Sequence, residues 1–250
     1  MSYNCRLFDY PDGQHVTFYK YSIGTDTKKE ENTNFRKSYK KEDRTEKEEL
    51  HCKEVSYNKT KNRIYQIARS NTWEWFITLT FDRTRTDSGE YDLVTERLQN
   101  FLENIKKRKC PNLIYLIVPE LHKDGKHYHF HGLLAGCGKM RFAYSGHDDK
   151  NGNMIFNMSD WTLGFSTATR VQDCERVSRY ITKYITKESM DFLKNKKRFY
   201  CPQNINIVES EKLSFNEDDF LNTYKENIVY AKSVNIQEAG QHINYYEVKY

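Results

Sequence analysis

The sequence predicts an α+β fold, an antiparallel sheet with helices on one face, and three features predict it. TWEWFITLTFD, residues 72–82, alternates Trp73, Trp75, Ile77, Leu79 and Phe81 with Glu74, Phe76, Thr78 and Thr80. Apolar residues at every second position make a half-buried strand. NLIYLIVPELHKDGKHYHFHGLL, residues 112–134, runs apolar to Val118, breaks at a polar turn centred on Asp124-Gly125, and returns through His127, His129 and His131 to Leu134. That is the pattern of two antiparallel strands around a turn. Around these strands, residues 92–108 and 174–194 switch to helical periodicity. The resulting order, β–α–β–β–loop–β–α, is a layered α+β architecture.

Each element has its own justification. Residues 3–9 and 15–22 form a hairpin whose turn is Pro11-Asp12-Gly13. Residues 25–58 are dense in Lys, Glu, Asp, Asn and Thr and read as a charged linker, with 35–50 as a candidate solvated helix. From Thr60, Ile64, Ile67 and Ala68 at helical spacing begin the globular part and end near Asn71. In 92–108, Leu93, Val94, Leu98, Phe101, Leu102 and Ile105 form one apolar stripe, and the last turn is basic. Residues 136–160 are rich in Gly, Asn and Asp and read as loop; 164–171 read as a strand. Asp173 is a good N-cap for a helix over 174–194. The last fifty residues offer short strands at 198–201, 205–208, 228–233 and 242–248, with a helix at 217–225.

Composition excludes several classes. The chain has 250 residues, enough for one large domain or a core with extensions. It is polar, with 30% charged residues and a mean hydropathy of −0.91, yet its 14% aromatic content argues against wholesale disorder. A net charge of +5 is too mild to establish nucleic-acid binding alone. The six cysteines form no CxxC pair, which weakens a zinc-finger reading and points to reduced thiols. No apolar run approaches 18 residues, so no membrane span or membrane partner is expected. No GxxxxGK[ST] occurs, so the chain carries no P-loop ATPase.

Two constellations carry chemistry. In the strand after the turn, alternate residues share a face, so His127, His129 and His131 point one way and Tyr128 and Phe130 the other. Imidazoles two residues apart, about 6.6–6.8 Å along a strand, can converge on one cation. Glu120 on the facing strand could add a carboxylate. The same histidines would also suit a solvated edge strand. The second constellation favours ligation, because it needs a metal. In RYITKYITK, residues 179–187, Tyr180 and Tyr184 lie one helical turn apart beside the stripe of Val177, Ile181 and Ile185, with Lys183 and Lys187 flanking them. A phenol with a pKa of about 10 is a poor nucleophile near neutrality, and a nearby ammonium or metal would favour its attack on a phosphodiester. A tyrosine pair packed at a core edge with snorkelling lysines is the bland alternative.

FITLTF (76–81), PELHKDGKHYHFHGLL (119–134) and RYITKYITK (179–187), in that order, resemble the three motifs of rolling-circle replication initiators of the HUH endonuclease superfamily. The resemblance covers about residues 60–190 and is to the phage and plasmid type with two tyrosines. It implies a ferredoxin-like HUH endonuclease fold over 59–200, with 1–58 an N-terminal hairpin and charged linker and 201–250 a β-rich extension or part of the same domain. It implies Glu120, His129 and His131 as metal ligands, with His127 doubtful and His122 supporting the turn. Tyr180 and Tyr184 become nucleophiles, each accompanied by its lysine, Lys183 and Lys187.

The activity implied is site-specific nicking and joining of single-stranded DNA, through a 5′-phosphotyrosine intermediate, to start rolling-circle replication. The expected ion is Mn or Mg, since imidazoles are mixed with hard oxygen donors. Expected partners are single-stranded DNA at a replication origin and a host helicase and polymerase, in the cytoplasm of a bacterial host. Thr78, Thr80, Arg176, Arg179, Lys197 and Arg198, with Lys194 and Lys196, are candidate DNA contacts. The alternatives are a related transposase and a non-catalytic single-strand binder that uses its aromatics as stacking platforms.

Overall fold

The computed structural model describes residues 2–24, 45–186, 189, 192–236 and 240–250. The chain is α+β, with two antiparallel sheets and four α-helices among the described residues. It divides into two compact units, residues 47–206 and residues 1–46 with 207–250. Among the described residues, no helix is long and apolar enough to cross a membrane.

In the smaller unit, β1 (Ser2–Tyr10) and β2 (Gly13–Gly24) form the expected hairpin. The chain's last strands, β10 (Ile228–Ile236) and β11 (Gln241–Lys249), join it in one sheet, with β9 (Glu211–Leu213) on its other edge, in the order β10-β11-β2-β1-β9. A short helix, α4 (Glu217–Tyr224), inserts Phe220 against Phe18 and Tyr246, at ring separations of 5.3 and 5.5 Å. The expected strand at 205–208 does not form, and 198–201 contributes only a single bridge from Tyr200 to Ile117.

The larger unit begins with α1 (Glu46–Arg69). Glu and Lys are strong helix formers, so the charged stretch and the apolar end join in one helix instead of a linker followed by a second start. Only its last turns are buried, through Ile64, Ile67 and Ala68. Its final carbonyls are met by side chains: Ser70 Oγ donates to Gln66 O at 2.6 Å and Asn71 Nδ2 to Ile67 O at 2.8 Å. Residues 25–44, the first part of the expected linker, lie outside the described residues.

The six-stranded sheet of this unit has the order β4-β5-β3-β8-β7-β6. Its strands are β3 (Trp75–Phe81), β4 (Ile114–Leu121), β5 (Tyr128–Ala135), β6 (Phe142–Asp148), β7 (Met154–Met158) and β8 (Gly164–Arg170). Strict alternation puts Trp75, Ile77, Leu79 and Phe81 in a core shared with Phe130 and with Val94, Leu98, Leu102 and Ile105 of α2 (Tyr91–Arg108). Pro119 has no N–H to donate and is accommodated because β4 is an edge strand.

Three sequence expectations change here. The stretch 136–160 is not loop: it holds the hairpin β6–β7. β6 is mostly exposed and β7 is half-buried with Met154, Ile155, Phe156 and Met158 nearly continuous, so neither shows the apolar alternation that reveals a strand. The helix expected over 174–194 ends early. α3 (Cys174–Ile181) passes into one 3-10 turn, Thr182–Tyr184, and Ile185 is extended. Ser178 Oγ donates to Cys174 O and Thr182 Oγ1 to Arg179 O, side-chain bonds that compete with a continuing helix. Thr186 and Ser189 exchange reciprocal bonds in the pattern of a capping box, each backbone N–H donating to the other's hydroxyl at 3.0 and 3.1 Å, and residues 187, 188, 190 and 191 of the expected helix lie outside the described residues. Finally, α2 covers the core face, whereas α3 lies against β5 and its 3-10 turn against β4 on the other face.

Candidate active site

Strand register assembles the site. Across β4, β5 and β3, Glu120 stands opposite His129, and His129 opposite Thr80; one step along, Val118, His131 and Thr78 are aligned. Residues opposed across a sheet share a face. This face is therefore the one away from Phe130 and Leu79.

Glu120 Oε2 lies 2.6 Å from His129 Nε2 and 2.7 Å from His131 Nε2. These three side chains are the group among the described residues whose donor atoms, all within 4.8 Å of one another, could hold a metal ion. The donor set fits a divalent cation: two imidazole nitrogens and one carboxylate oxygen. His131 Nδ1 is 3.1 Å from Thr78 Oγ1. When a metal takes the place of the proton between Nε2 and Glu120, Nδ1 carries the ring hydrogen and can donate it to that hydroxyl.

Electrostatics prepare the same state. Burial would raise the Glu120 carboxyl, but hydrogen bonds with His129 and His131, and their charge, hold it down to about 2. Burial lowers His131 and outweighs the opposing hydrogen bond and charge of Glu120. An ionised carboxylate beside a neutral imidazole is what a metal requires of its ligands.

His127 falls outside this cluster. β5 starts one residue later, and His127 Nδ1 instead lies 2.9 Å from Ser88 Oγ. His122 belongs to the turn: its backbone N–H donates to His127 O at 2.7 Å, and its ring approaches that of His129 edge-on at 5.6 Å.

The tyrosines sit over the same face. Tyr184 stacks on His131, with ring centroids 3.5 Å apart, and Tyr180 meets Tyr184 edge-on at 5.5 Å. Phe76 touches both, at 5.2 Å from Tyr180 and 6.1 Å from Tyr184. The break after Ile181 thus leaves the two phenols adjacent. Tyr180 is 43% exposed. Tyr184 is half-buried, and burial, then its hydrogen bond with and the charge of Tyr180, then the charge of Glu120, push its phenol well above the usual range. Lys183 Nζ lies 5.3 Å from the Tyr180 ring centroid. Lys187 lies outside the described residues.

The basic candidates divide. Arg176 is exposed on α3 beside the tyrosines, and Arg179 pairs with Glu175 at 2.5 Å. Arg198 is taken up structurally, donating from Nη1 to Ser56 Oγ and Thr60 Oγ1 of α1, both at 2.8 Å. The Lys197 carbonyl accepts from Tyr91 Oη, and its ammonium lies over Tyr200. Lys194 and Lys196 are exposed. Two contributors were not singled out from sequence: Phe76, which bridges the tyrosines, and Thr78 as the partner of His131. Their position on the non-core face of β3 was legible; their partners on β5 and α3 were not.

Residues 74–189 match the model of a family of replication-associated proteins, the ORF2 type. No curated protein and no solved structure matches the chain. The matched stretch contains Glu120, His129, His131, Thr78, Tyr180 and Tyr184, so the site lies wholly within the part of the chain that is similar to replication-associated proteins.

Proposed function

We propose that this protein initiates rolling-circle replication as an HUH endonuclease with two tyrosines, nicking and joining single-stranded DNA at an origin. The observation that carries the reading is the convergence of Glu120, His129 and His131 with two tyrosines on one sheet face, Tyr184 stacked 3.5 Å from His131. A divalent ion, Mn or Mg, held by Glu120, His129 and His131, would polarise the scissile phosphodiester. The remaining work falls to the chain. Thr78 orients His131. Tyr180, the more exposed phenol, makes the first attack: its oxygen loses its proton and bonds phosphorus, the P–O3′ bond breaks, and the 3′ oxygen takes up a proton and leaves as a hydroxyl, so no net proton is consumed. Lys183 adds positive charge one turn from that phenol. The phosphotyrosine conserves the bond energy, so a 3′-OH can later displace it and rejoin strands. Tyr184 serves as the second nucleophile, free to cut while Tyr180 holds DNA.

The test uses labelled single strands tiling the DNA that encodes this chain, with Mn or Mg. A covalent adduct surviving denaturation is expected, lost by at least about 100-fold in Tyr180→Phe with Tyr184→Phe, given that nucleophile removal typically costs several orders of magnitude. Binding without any adduct under either ion would leave a non-catalytic single-strand binder as the correct reading. An adduct persisting in the double variant would overturn the tyrosine assignment.

A further inference from the structure

Resting on the reading of this face as a single-stranded DNA site, we infer that Phe165 on β8 is a stacking platform for a base beside the scissile phosphate. Phe165 is 63% exposed, more than any other Phe, Tyr or Trp ring described in residues 47–206. Its neighbours in the sheet explain nothing of this by packing: Ser166 and Ala168 face the core, while Phe165 faces away from it. The register places it. Phe165 stands opposite Thr80, Thr80 opposite His129, and His129 opposite Glu120. One row across four strands therefore ends in the metal-type cluster on one side and an open aromatic ring on the other. At about 4.8 Å per strand, Phe165 lies roughly 9.6 Å from His129 along that row.

The position is rigid. Gly164 has no Cβ, and one there would overlap the Thr80 carbonyl oxygen, so β8 can approach β3 this closely only with glycine. Asp82 N–H donates to Leu163 O at 2.9 Å and Trp161 Nε1 to Thr80 O at 3.2 Å, clamping the chain on the N-terminal side of Phe165 to the end of β3. An exposed ring on a clamped strand presents its face with little backbone ordering cost, which suits stacking on a base. Thr167, next on the same face, stands opposite Thr78, so the floor between platform and cluster is hydroxyl-bearing. A strand laid across the row would place a phosphate at the Glu120–His129 end and a base on Phe165. The stacking is tolerant of base identity, because every base has a π-face.

The experiment measures binding of fluorescein-labelled dT12 and a mixed 12-mer by anisotropy in EDTA, so that it does not depend on chemistry. Phe165→Ala should weaken binding roughly 5- to 150-fold. Phe165→Trp should restore it, and its indole emission should be quenched on DNA addition. Tyr144→Ala, which removes a ring 51% exposed on the distant edge strand β6, should leave affinity unchanged. Unchanged affinity in Phe165→Ala, an equal loss in Tyr144→Ala, or no binding by the wild type would each overturn the platform. Failure of the adduct assay with the Phe165 effect intact would instead overturn the catalytic reading and leave the platform standing.

Discussion

The two faces of β3 and β5 are built from the same alternation of side chains and do opposite things. On one face, Ile77, Leu79 and Phe130 are at most 1% exposed and pack under α2. On the other, Phe76, Thr78, His129 and His131 face Glu120 and two tyrosines. The first face is held by burial, which is tolerant of side-chain detail provided volume is kept. The second is held by directional contacts at 2.6–3.1 Å, which are not. Placing a site on the back of a packed strand gives its ligands the rigidity of the core without embedding them in it.

That contrast can be broken most forcefully at adjacent residues. Phe130→Ala should cost about 3–5 kcal/mol of unfolding free energy by leaving a cavity under α2. His129→Ala, one residue away, should shift the thermal midpoint only slightly while abolishing calorimetric Mn binding. Equal destabilisation by both would mean that the site face also carries the fold.

A subtler separation comes from Thr78→Val, which keeps shape and removes the hydroxyl facing His131. Metal affinity should fall about 10- to 100-fold, as when an outer partner of a ligand is removed, with stability little changed. Unchanged affinity would show that the Thr78 hydroxyl does not orient the His131 ring.

The smallest effect is pH-dependent. Glu120 is held down to about 2 from its ordinary 4.5, so in the ion-free protein its contribution to stability is fully present above pH 4.5 and is lost as pH falls toward 2. His131 is lowered from 6.5, so the unfolded chain takes its proton first, and acid weakens the fold through this group as well, beginning below about pH 6.5. In EDTA, Glu120→Gln should flatten the acid limb of the stability profile between pH 4.5 and about 2. An identical limb would show that the carboxylate is not coupled to the two imidazoles.

Much of this site was legible along the chain. Alternation in 72–82 and 127–131 sorted the core from the site face, because strand side chains must alternate. Two strands joined by a short turn around Gly125 put Glu120 where it could add a carboxylate to the histidine face, and the resemblance named the three together. The hairpin β6–β7 was not legible, since β6 is mostly exposed and β7 carries no alternation, so neither leaves a hydrophobic period of two. Nor was the end of α3 at Ile181: hydroxyls at 178, 182, 186 and 189 could serve a helix face or cap its ends, and only their hydrogen bonds decide which.

By itself, then, the sequence determined the strands that alternate, which of their faces is apolar, and the residue types available for metal and phosphoryl chemistry, because these depend on local period and composition. Tertiary structure alone decided which side chains meet. His127 turns to Ser88 rather than to Glu120, and Arg198 serves α1. Thr78 holds His131, and Phe165 stands open at the end of the Glu120–His129–Thr80 row. Those outcomes depend on strand register and on a helix carried over from elsewhere in the chain, relations between distant residues that no local pattern encodes.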